Sequence, residues 1–380
     1  MDLHDLPMSE PDITEDDIAA VVDVLKSKRW SLGPVLEAFE DAFARYTGTK
    51  YAVGVSSGTT GLHAAVATAG IGPSDQVVTS AFSFVASSNC ILYENADPVF
   101  VDIDIDPDTF NLDPAGIESA LTDRTRALLP IHVFGQICDM EPMLRIARNR
   151  DLVVIEDACE AIGSEHRGRK AGSFGDMAVF GFYPNKQIAA GEGGIVTCDD
   201  PALATRLRSL RNQGRDEMGT WLRHIHLGYN YRLGEINAAL GLSQLNRIDD
   251  LLARRDRVAG WYNERLRDLD GVGTMTPAPG TTRLSWFVYV IRLHPTIDRT
   301  TIIDRLQRAG VPSRIYFSPI HLQPYYRERF GYREGMLPVT EAVSQTTLAL
   351  PFHTNMKEAE VERVVATLRK AVGASGRDGG

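Results

Sequence analysis

Phe180-Gly-Phe-Tyr-Pro-Asn-Lys186-Gln-Ile-Ala-Ala-Gly-Glu-Gly-Gly194 is an apolar run that breaks into a glycine-rich turn, with a single amine at the break. A lysine held at a strand end and partly desolvated keeps a nucleophilic amine that can form a Schiff base with an aldehyde. Upstream, Leu152-Val-Val-Ile-Glu-Asp157 is a second apolar run, and it ends in carboxylates. A carboxylate at the mouth of a buried strand needs a partner to offset its desolvation. Open parallel sheets place their ligands at such strand ends, so the two runs point to one sheet edge.

Working outward, short apolar runs alternate with helical segments from Tyr51 onward. The spacing predicts strands over Ala52–Val55, Gln76–Thr79, Pro98–Ile103, Ala127–Val133, Leu152–Ile155, Met177–Phe182 and Ile195–Cys198. Helices fall between several of them, at Gly61–Ala69, Met140–Arg150 and Pro201–Arg211. Continuous apolar strands joined by helices imply an α/β fold, a mostly parallel sheet sandwiched by helices. Two helices precede it. The first follows Thr14-Glu-Asp-Asp17 and presents Ile18, Val21, Val22 and Leu25; the second carries Val35, Phe39, Phe43 and Tyr46 and ends near Gly48. A long helical stretch from Gly234 to Leu269 leads out of the sheet. After Pro277-Ala-Pro-Gly280 the pattern reads as a smaller C-terminal α+β domain, with strands at Trp286–Ile291 and Arg314–Phe317 and helices at Thr300–Arg308 and Lys357–Val372. The expected division is 1–255 for the N-terminal helices and large domain and 256–372 for the small domain, with 373–380 a disordered tail.

Composition narrows the function. The 40 basic and 50 acidic residues leave a net charge of −10, which disfavours a general nucleic-acid or anionic-membrane surface. No apolar stretch reaches the roughly 18 residues of a membrane span, and Met1-Asp-Leu-His-Asp5 lacks the basic and apolar regions of a signal peptide. The cytoplasm is the expected location. Cys90, Cys138, Cys159 and Cys198 are far apart without metal-type spacing and read as free thiols, while His224 and His226 read as polar loop residues; no metal is expected.

Two more strand ends carry chemistry. Ser56-Ser-Gly-Thr-Thr-Gly61 opens a helix, and exposed N–H groups at a helix N-terminus form an anion seat. Phe82 and Phe84 follow the Gln76–Thr79 strand, where an aromatic ring could stack on a flat cofactor. Neither a nucleoside-triphosphate loop nor a dinucleotide fingerprint is present. An anion seat, a ring, a carboxylate and an amine form the set that pyridoxal phosphate requires: a lysine for its aldehyde and an acid for its pyridinium nitrogen.

From about Ile13 to about Val372 the chain resembles the DegT/DnrJ/EryC1/StrS family of pyridoxal-phosphate aminotransferases, which have the aspartate-aminotransferase fold. The resemblance is carried by Trp30-Ser-Leu-Gly33, Ser57-Gly-Thr59, Glu156-Asp-Ala-Cys-Glu-Ala161, Phe182-Tyr-Pro-Asn-Lys186 with Gly191-Glu-Gly-Gly194, Gly228-Tyr-Asn-Tyr-Arg-Leu-Gly-Glu235, His321-Leu-Gln-Pro-Tyr325 and Leu350-Pro-Phe-His353. It implies that Lys186 holds the cofactor and shuttles a proton, that Asp157 pairs with the pyridinium nitrogen and that Phe84 stacks on the ring. Gly58 and Thr59 would bind the phosphate, and Glu160 would lie near the phenolic oxygen. Asn230 would reach the phosphate of the neighbouring subunit, which implies a homodimer with shared sites. Tyr316 and His321 are candidates for substrate contact.

Two positions depart from the family pattern. Gly181 stands where a phosphate-binding serine is usual, and Glu160 stands where glutamine is common. Retention of Lys186, which related sugar dehydratases replace with histidine, implies transamination. The expected reaction is a ping-pong transfer from L-glutamate to a keto-sugar, most simply a nucleotide-linked one. A keto-inositol or other aminocyclitol precursor with glutamine as donor stays open, as does a cofactor-binding regulatory protein without catalysis.

Overall fold

The computed structural model describes residues 6–104, 109–216 and 222–375. Met1–Asp5, read above for a leader, and positions 376–380 of the expected tail lie outside the described residues.

A seven-stranded sheet is built from β1 (Tyr51–Val55), β2 (Gln76–Ser80), β3 (Asp97–Val101), β4 (Thr125–Leu129) and β5 (Val153–Asp157). A short hairpin of β6 (Glu165–His166) and β7 (Arg169–Lys170) leaves it before β8 (Met177–Gly181) and β9 (Gly194–Cys198) complete it. The strand order is β1-β9-β8-β5-β4-β2-β3. The run from β8 to β3 is parallel; β9 is antiparallel to both neighbours, so β1 again points along the parallel set. Successive side chains go to opposite faces. Val77, Val179 and Val196 join one apolar cluster, and their neighbours Val78, Phe180 and Ile195 join the other. Both faces are dry, which is why these strands read as unbroken apolar runs.

Helices α1 (Glu15–Ser27), α2 (Pro34–Thr47), α3 (Gly58–Thr68), α4 (Ala86–Tyr93), α5 (Ile117–Ala120), α6 (Met140–Arg150), α7 (Pro201–Arg211), α8 (Glu235–Asn246) and α9 (Ile248–Leu266) surround the sheet. Two motifs far apart in sequence clip together at α2. Glu235 accepts N–H bonds from Gly33 at 2.9 Å, Val35 at 3.0 Å and Leu36 at 3.1 Å, capping that helix from 200 residues away. A Cβ on Gly33 would lie 2.6 Å from the same carboxylate, so the close approach requires glycine.

Beyond α9, β10 (Val272–Thr274), β12 (Tyr289–Leu293) and β13 (Thr347–Leu350) form an antiparallel sheet in the order β10-β12-β13, while β11 (Thr281–Arg283) pairs with β6. Helices α10 (Arg299–Arg308), α11 (Pro324–Phe330), α12 (Pro338–Thr346) and α13 (Glu358–Ser375) complete this part. Its residues Ile291, Leu348 and Val364 belong to the same apolar cluster as Val53 and Val179 of the large sheet. No helix among the described residues is long and apolar enough to cross a membrane.

Several elements differ from the sequence pattern. The stretch from Gly234 to Leu269 is two helices, broken at Arg247 (φ −119°, ψ 18°), whose guanidinium is held by Asp12 and Asp17. Asp17 is therefore turned inward on α1 with Val24, and Ile18 and Leu25, expected to pack, are exposed. The strand expected over Ala127–Val133 ends at Leu129 because Pro130 cannot donate to the ladder. That expected over Pro98–Ile103 ends at Val101. Trp286 takes a positive φ of 47°, so its strand begins only at Tyr289, and of Arg314–Phe317 only Arg314 makes a bridge, to Ala349. Helix α13 runs on to Ser375, past the expected end at Val372.

Glu156, the last residue but one of β5, is wholly buried. It accepts N–H bonds from Gly172 at 2.9 Å and from Phe174 and Gly175 at 2.7 Å, and lies 2.9 Å from His132 Nε2. Burial works to raise its pKa, but His132 and the loop N–H groups outweigh it and hold the carboxyl below its ordinary 4.5. Its contribution to stability is thus fully present above about pH 4.5 and is lost as pH falls through the lower folded value. Glu156→Gln turns an acceptor into a donor facing N–H groups and should cost about 3–5 kcal/mol in urea unfolding at neutral pH. The gap to wild type should close in acid; a gap that stays constant down to the acid limb would contradict this account.

Candidate active site

Because β1, β2, β5 and β8 point the same way, their carboxyl ends meet at one edge. There they line a cavity of about 480 Å³ with Gly58 and Thr59 after β1, Phe84 after β2, Asp157 at the end of β5 and Glu160 just beyond it, and Lys186 after β8. Phe287, Tyr316 and Phe317 close it from the C-terminal part of the chain. Seven of the nine residues singled out in the sequence are in this one cavity.

The expected anion seat falls at the start of α3. Ser57 Oγ accepts the Thr60 N–H at 3.1 Å and Thr60 Oγ1 accepts the Ser57 N–H at 2.9 Å, a reciprocal cap without an acid. Gly58 and Thr59 occupy the first helical positions, whose N–H groups have no intrahelical acceptor. Crowding behind the seat is tight: a Cβ on Gly58 would come within 2.9 Å of Cys159 Sγ, and one on Gly194 within 2.5 Å of Ser57 O. At Gly181 there is room, with Cys159 Sγ at 3.6 Å and Gly58 Cα at 3.7 Å from a built Cβ.

Of the two aromatic residues after β2, Phe82 is core, packed against Phe110, Phe134 and Phe317, whereas Phe84 is 61% exposed and lines the cavity. Asp157 Oδ2 accepts the Ser87 hydroxyl at 2.7 Å and Oδ1 accepts the Cys159 N–H at 3.1 Å. Lys186 sits in the turn closed by its own N–H to Tyr183 O at 2.9 Å. Its Nζ lies 3.7 Å from the centre of the Phe287 ring and 3.8 Å from Glu160 Oε1, a nearly dry setting for an amine. Glu160 Oε2 accepts the Phe134 N–H at 2.8 Å. Burial pushes the Glu160 carboxyl up to about 7, against the opposing pull of Lys186 and the Phe134 N–H. Burial, with the nearby Glu160 charge, also raises the Tyr316 phenol.

Two expected site residues are elsewhere. His321 is fully buried on a 3₁₀ turn beside Ile320 and edge-on to the Tyr332 ring, with Nε2 3.0 Å from Glu341 Oε1, and it does not line the cavity. Asn230 is exposed and outside the cavity. It belongs to a strap whose Tyr231 hydroxyl lies 2.8 Å from His63 Nδ1 and whose Tyr229 hydroxyl donates to Glu94 at 3.1 Å. The residues that sequence reasoning missed are Ser83, Ser87, Cys159, Phe287 and Phe317. Ser83 stands between Phe82 and Phe84 and Ser87 three residues beyond, and both could have been noticed; Phe287 and Phe317 reach the site only through the tertiary fold.

The model of the DegT/DnrJ/EryC1/StrS aminotransferase family matches residues 11–369. The chain belongs to this family. It is a pyridoxal-phosphate-dependent transaminase, and the cavity suits that cofactor: a helix N-terminus for phosphate, an exposed ring, an acceptor carboxylate and a desolvated amine. The chain is 43% identical over 340 residues to GDP-perosamine synthase of Caulobacter vibrioides, covering 89% of this chain and 90% of that one. Among solved structures it is similar to S. venezuelae DesV (36% identity, TM-score 0.88, 93% of each chain) and to Helicobacter pylori PseC, an aminotransferase of pseudoaminic acid biosynthesis (26%, TM-score 0.92, 97% and 100%).

Gly181→Ser fits sterically and would add one charge-assisted hydrogen bond at the expected anion seat, so equilibrium dialysis should show cofactor held more tightly by about tenfold or more. Gly58→Ala should weaken it. Unchanged dissociation constants in both variants would detach the phosphate from α3. Glu160 is an acid whose folded pKa is raised, so the apoenzyme should lose stability as pH rises from about 4.5 to about 7. In Glu160→Gln that slope should be absent from thermal unfolding curves over the same range.

Proposed function

We propose that this transaminase moves the amino group of L-glutamate onto the ketone of a nucleotide-linked keto-sugar, in two half-reactions at the one cavity. The observation that carries the reading is the convergence of Lys186, Asp157, Phe84 and the start of α3 on that cavity. The 43% identity to a GDP-perosamine synthase supports a nucleotide-linked sugar as acceptor.

Lys186 Nζ would hold the cofactor's aldehyde, Asp157 its ring nitrogen, Phe84 the ring face, and Gly58 with Thr59 the phosphate. Bound there, pyridoxal phosphate supplies an electron sink for the carbanion formed at the donor's Cα. The chain's own task is to position and to move protons. With its amine free, Lys186 Nζ would take the Cα proton of the donor and deliver it to the cofactor's aldehyde-derived carbon, and would run the same shuttle in reverse with the acceptor. The Phe287 ring and the buried Glu160 keep water from that amine. Asp157 would keep a proton on the ring nitrogen, the condition for drawing electrons from Cα. Tyr316 faces the same space and is our candidate for substrate contact.

The exposed position of Asn230, outside its own cavity, supports a homodimer in which this side chain serves the partner's phosphate seat. The exposed Ile18 and Leu25 of α1 are apolar surface that such an assembly would cover.

Purified enzyme given L-glutamate should lose the cofactor's visible absorption and yield 2-oxoglutarate, and a nucleotide-linked keto-sugar should restore the absorption. Glutamine acting in place of glutamate, or a keto-inositol in place of the sugar, would redirect the assignment. Lys186→Ala should abolish transfer while circular dichroism and unfolding temperature stay near wild type; turnover retained in that variant would remove Lys186 from the reaction.

A further inference from the structure

The turn after β2 does more than present a ring. Ser83 and Ser87 both line the cavity, and both are buried. Ser87 Oγ lies 2.7 Å from Asp157 Oδ2 and 2.9 Å from Ser83 Oγ. A carboxylate only accepts, so the single Ser87 hydrogen goes to Asp157, and the Ser87 oxygen is left to accept from Ser83. The relay has one direction, Ser83 to Ser87 to Asp157. With the Cys159 N–H on Oδ1, each carboxylate oxygen already holds one donor and keeps a lone pair for a further one.

The helix that carries Ser87 is itself anchored. The Ser87 N–H donates to Phe84 O at 3.1 Å, so the relay and the stacking ring share one turn. The fully buried Tyr326 places its hydroxyl 2.8 Å from Ser88 Oγ and 3.0 Å from Asn89 Oδ1, and Tyr325 donates to Asn89 Oδ1 at 2.8 Å. Helix α4 thus cannot rotate Ser87 away from Asp157 without breaking contacts to α11.

We propose that Ser87, backed by Ser83, is a positioning residue that holds the Asp157 carboxylate as an aimed acceptor before the cofactor arrives. The inference rests on Asp157 facing the cofactor's ring nitrogen. Without the Ser87 hydrogen, Asp157 loses a charge-assisted bond and becomes the better proton acceptor. It then competes with the ring nitrogen for the proton they share. The other titratable groups near Asp157 are Cys159 and Glu160 on the following turn, Lys186 across the cavity and Cys90 on α4.

The test uses full-length enzyme stripped of cofactor and titrated with pyridoxal phosphate, comparing wild type, Ser87→Ala, Ser83→Ala and Asp157→Asn. Dissociation constants, the visible spectrum of the bound cofactor and the unfolding temperature of the apo form are read together. Ser87→Ala should bind about tenfold more weakly with an altered visible spectrum, while its apo form still unfolds cooperatively at a modestly lowered temperature. Ser83→Ala should show a smaller change of the same kind. Weaker binding with a wild-type spectrum would make Ser87 a packing residue and overturn the proposal. Wild-type behaviour of Ser87→Ala beside an altered Asp157→Asn would overturn the relay alone. Wild-type behaviour of Asp157→Asn would overturn the placement of Asp157 on which the relay depends.

Discussion

Two consecutive carboxylates at the end of a buried parallel strand are the constraint on which this structure turns. Desolvating an acid is expensive, and the strand sends Glu156 to one face of the sheet and Asp157 to the other. Glu156 is satisfied by His132 and by three N–H groups of the 172–175 loop, which ties β5 to the approach of β8. Asp157 accepts from the Ser87 hydroxyl and the Cys159 N–H and lines the cavity. One acid is consumed by the fold and the other is left for chemistry. The difference lies in how many donors each face supplies.

The cavity is possible because backbones approach closely behind it. Gly58 and Gly194 occupy points where a Cβ would meet Cys159 and Ser57, so the α3 terminus can sit against the β8 and β9 ends. The opposite wall comes from the C-terminal part. There the buried Arg255 donates to Trp286 O at 2.9 Å and to Phe287 O at 2.7 Å, fixing the loop whose ring covers Lys186. Burial without a carboxylate partner lowers the Arg255 pKa to about 9. Its hydrogen bonds to carbonyls are what offset that desolvation. The amine at Lys186 is therefore shielded by a residue about 100 positions later, through an arginine that does not itself line the cavity.

How legible all this was in the sequence varied with the range of the interaction. The seven strands of the large sheet were visible because both faces are dry and the runs are continuous, and Met140–Arg150 and Pro201–Arg211 form as the pattern predicts. The errors fall where a distant side chain intervenes. Arg247 turns to Asp12 and Asp17 and splits one helix into two, and the inward Asp17 goes with an α1 whose Ile18 and Leu25 are left exposed. Trp286 is held in a left-handed conformation where a continuous apolar run suggested a strand.

The site divides in the same way. Lys186, Asp157, Glu160, Phe84, Gly58 and Thr59 each stand next to a strand end, and strand ends are a local property of chain composition. The sequence by itself therefore determined which groups gather at the sheet edge and which cofactor chemistry they suit. Only the tertiary structure decided that His321 is core rather than contact, that Ser83 and Ser87 stand behind Asp157, and that Phe287, Tyr316 and Phe317 close the cavity. The physical reason is that hydrogen-bond partners and packing neighbours across the site come from elements tens to hundreds of residues apart, and no local periodicity encodes which of them will meet.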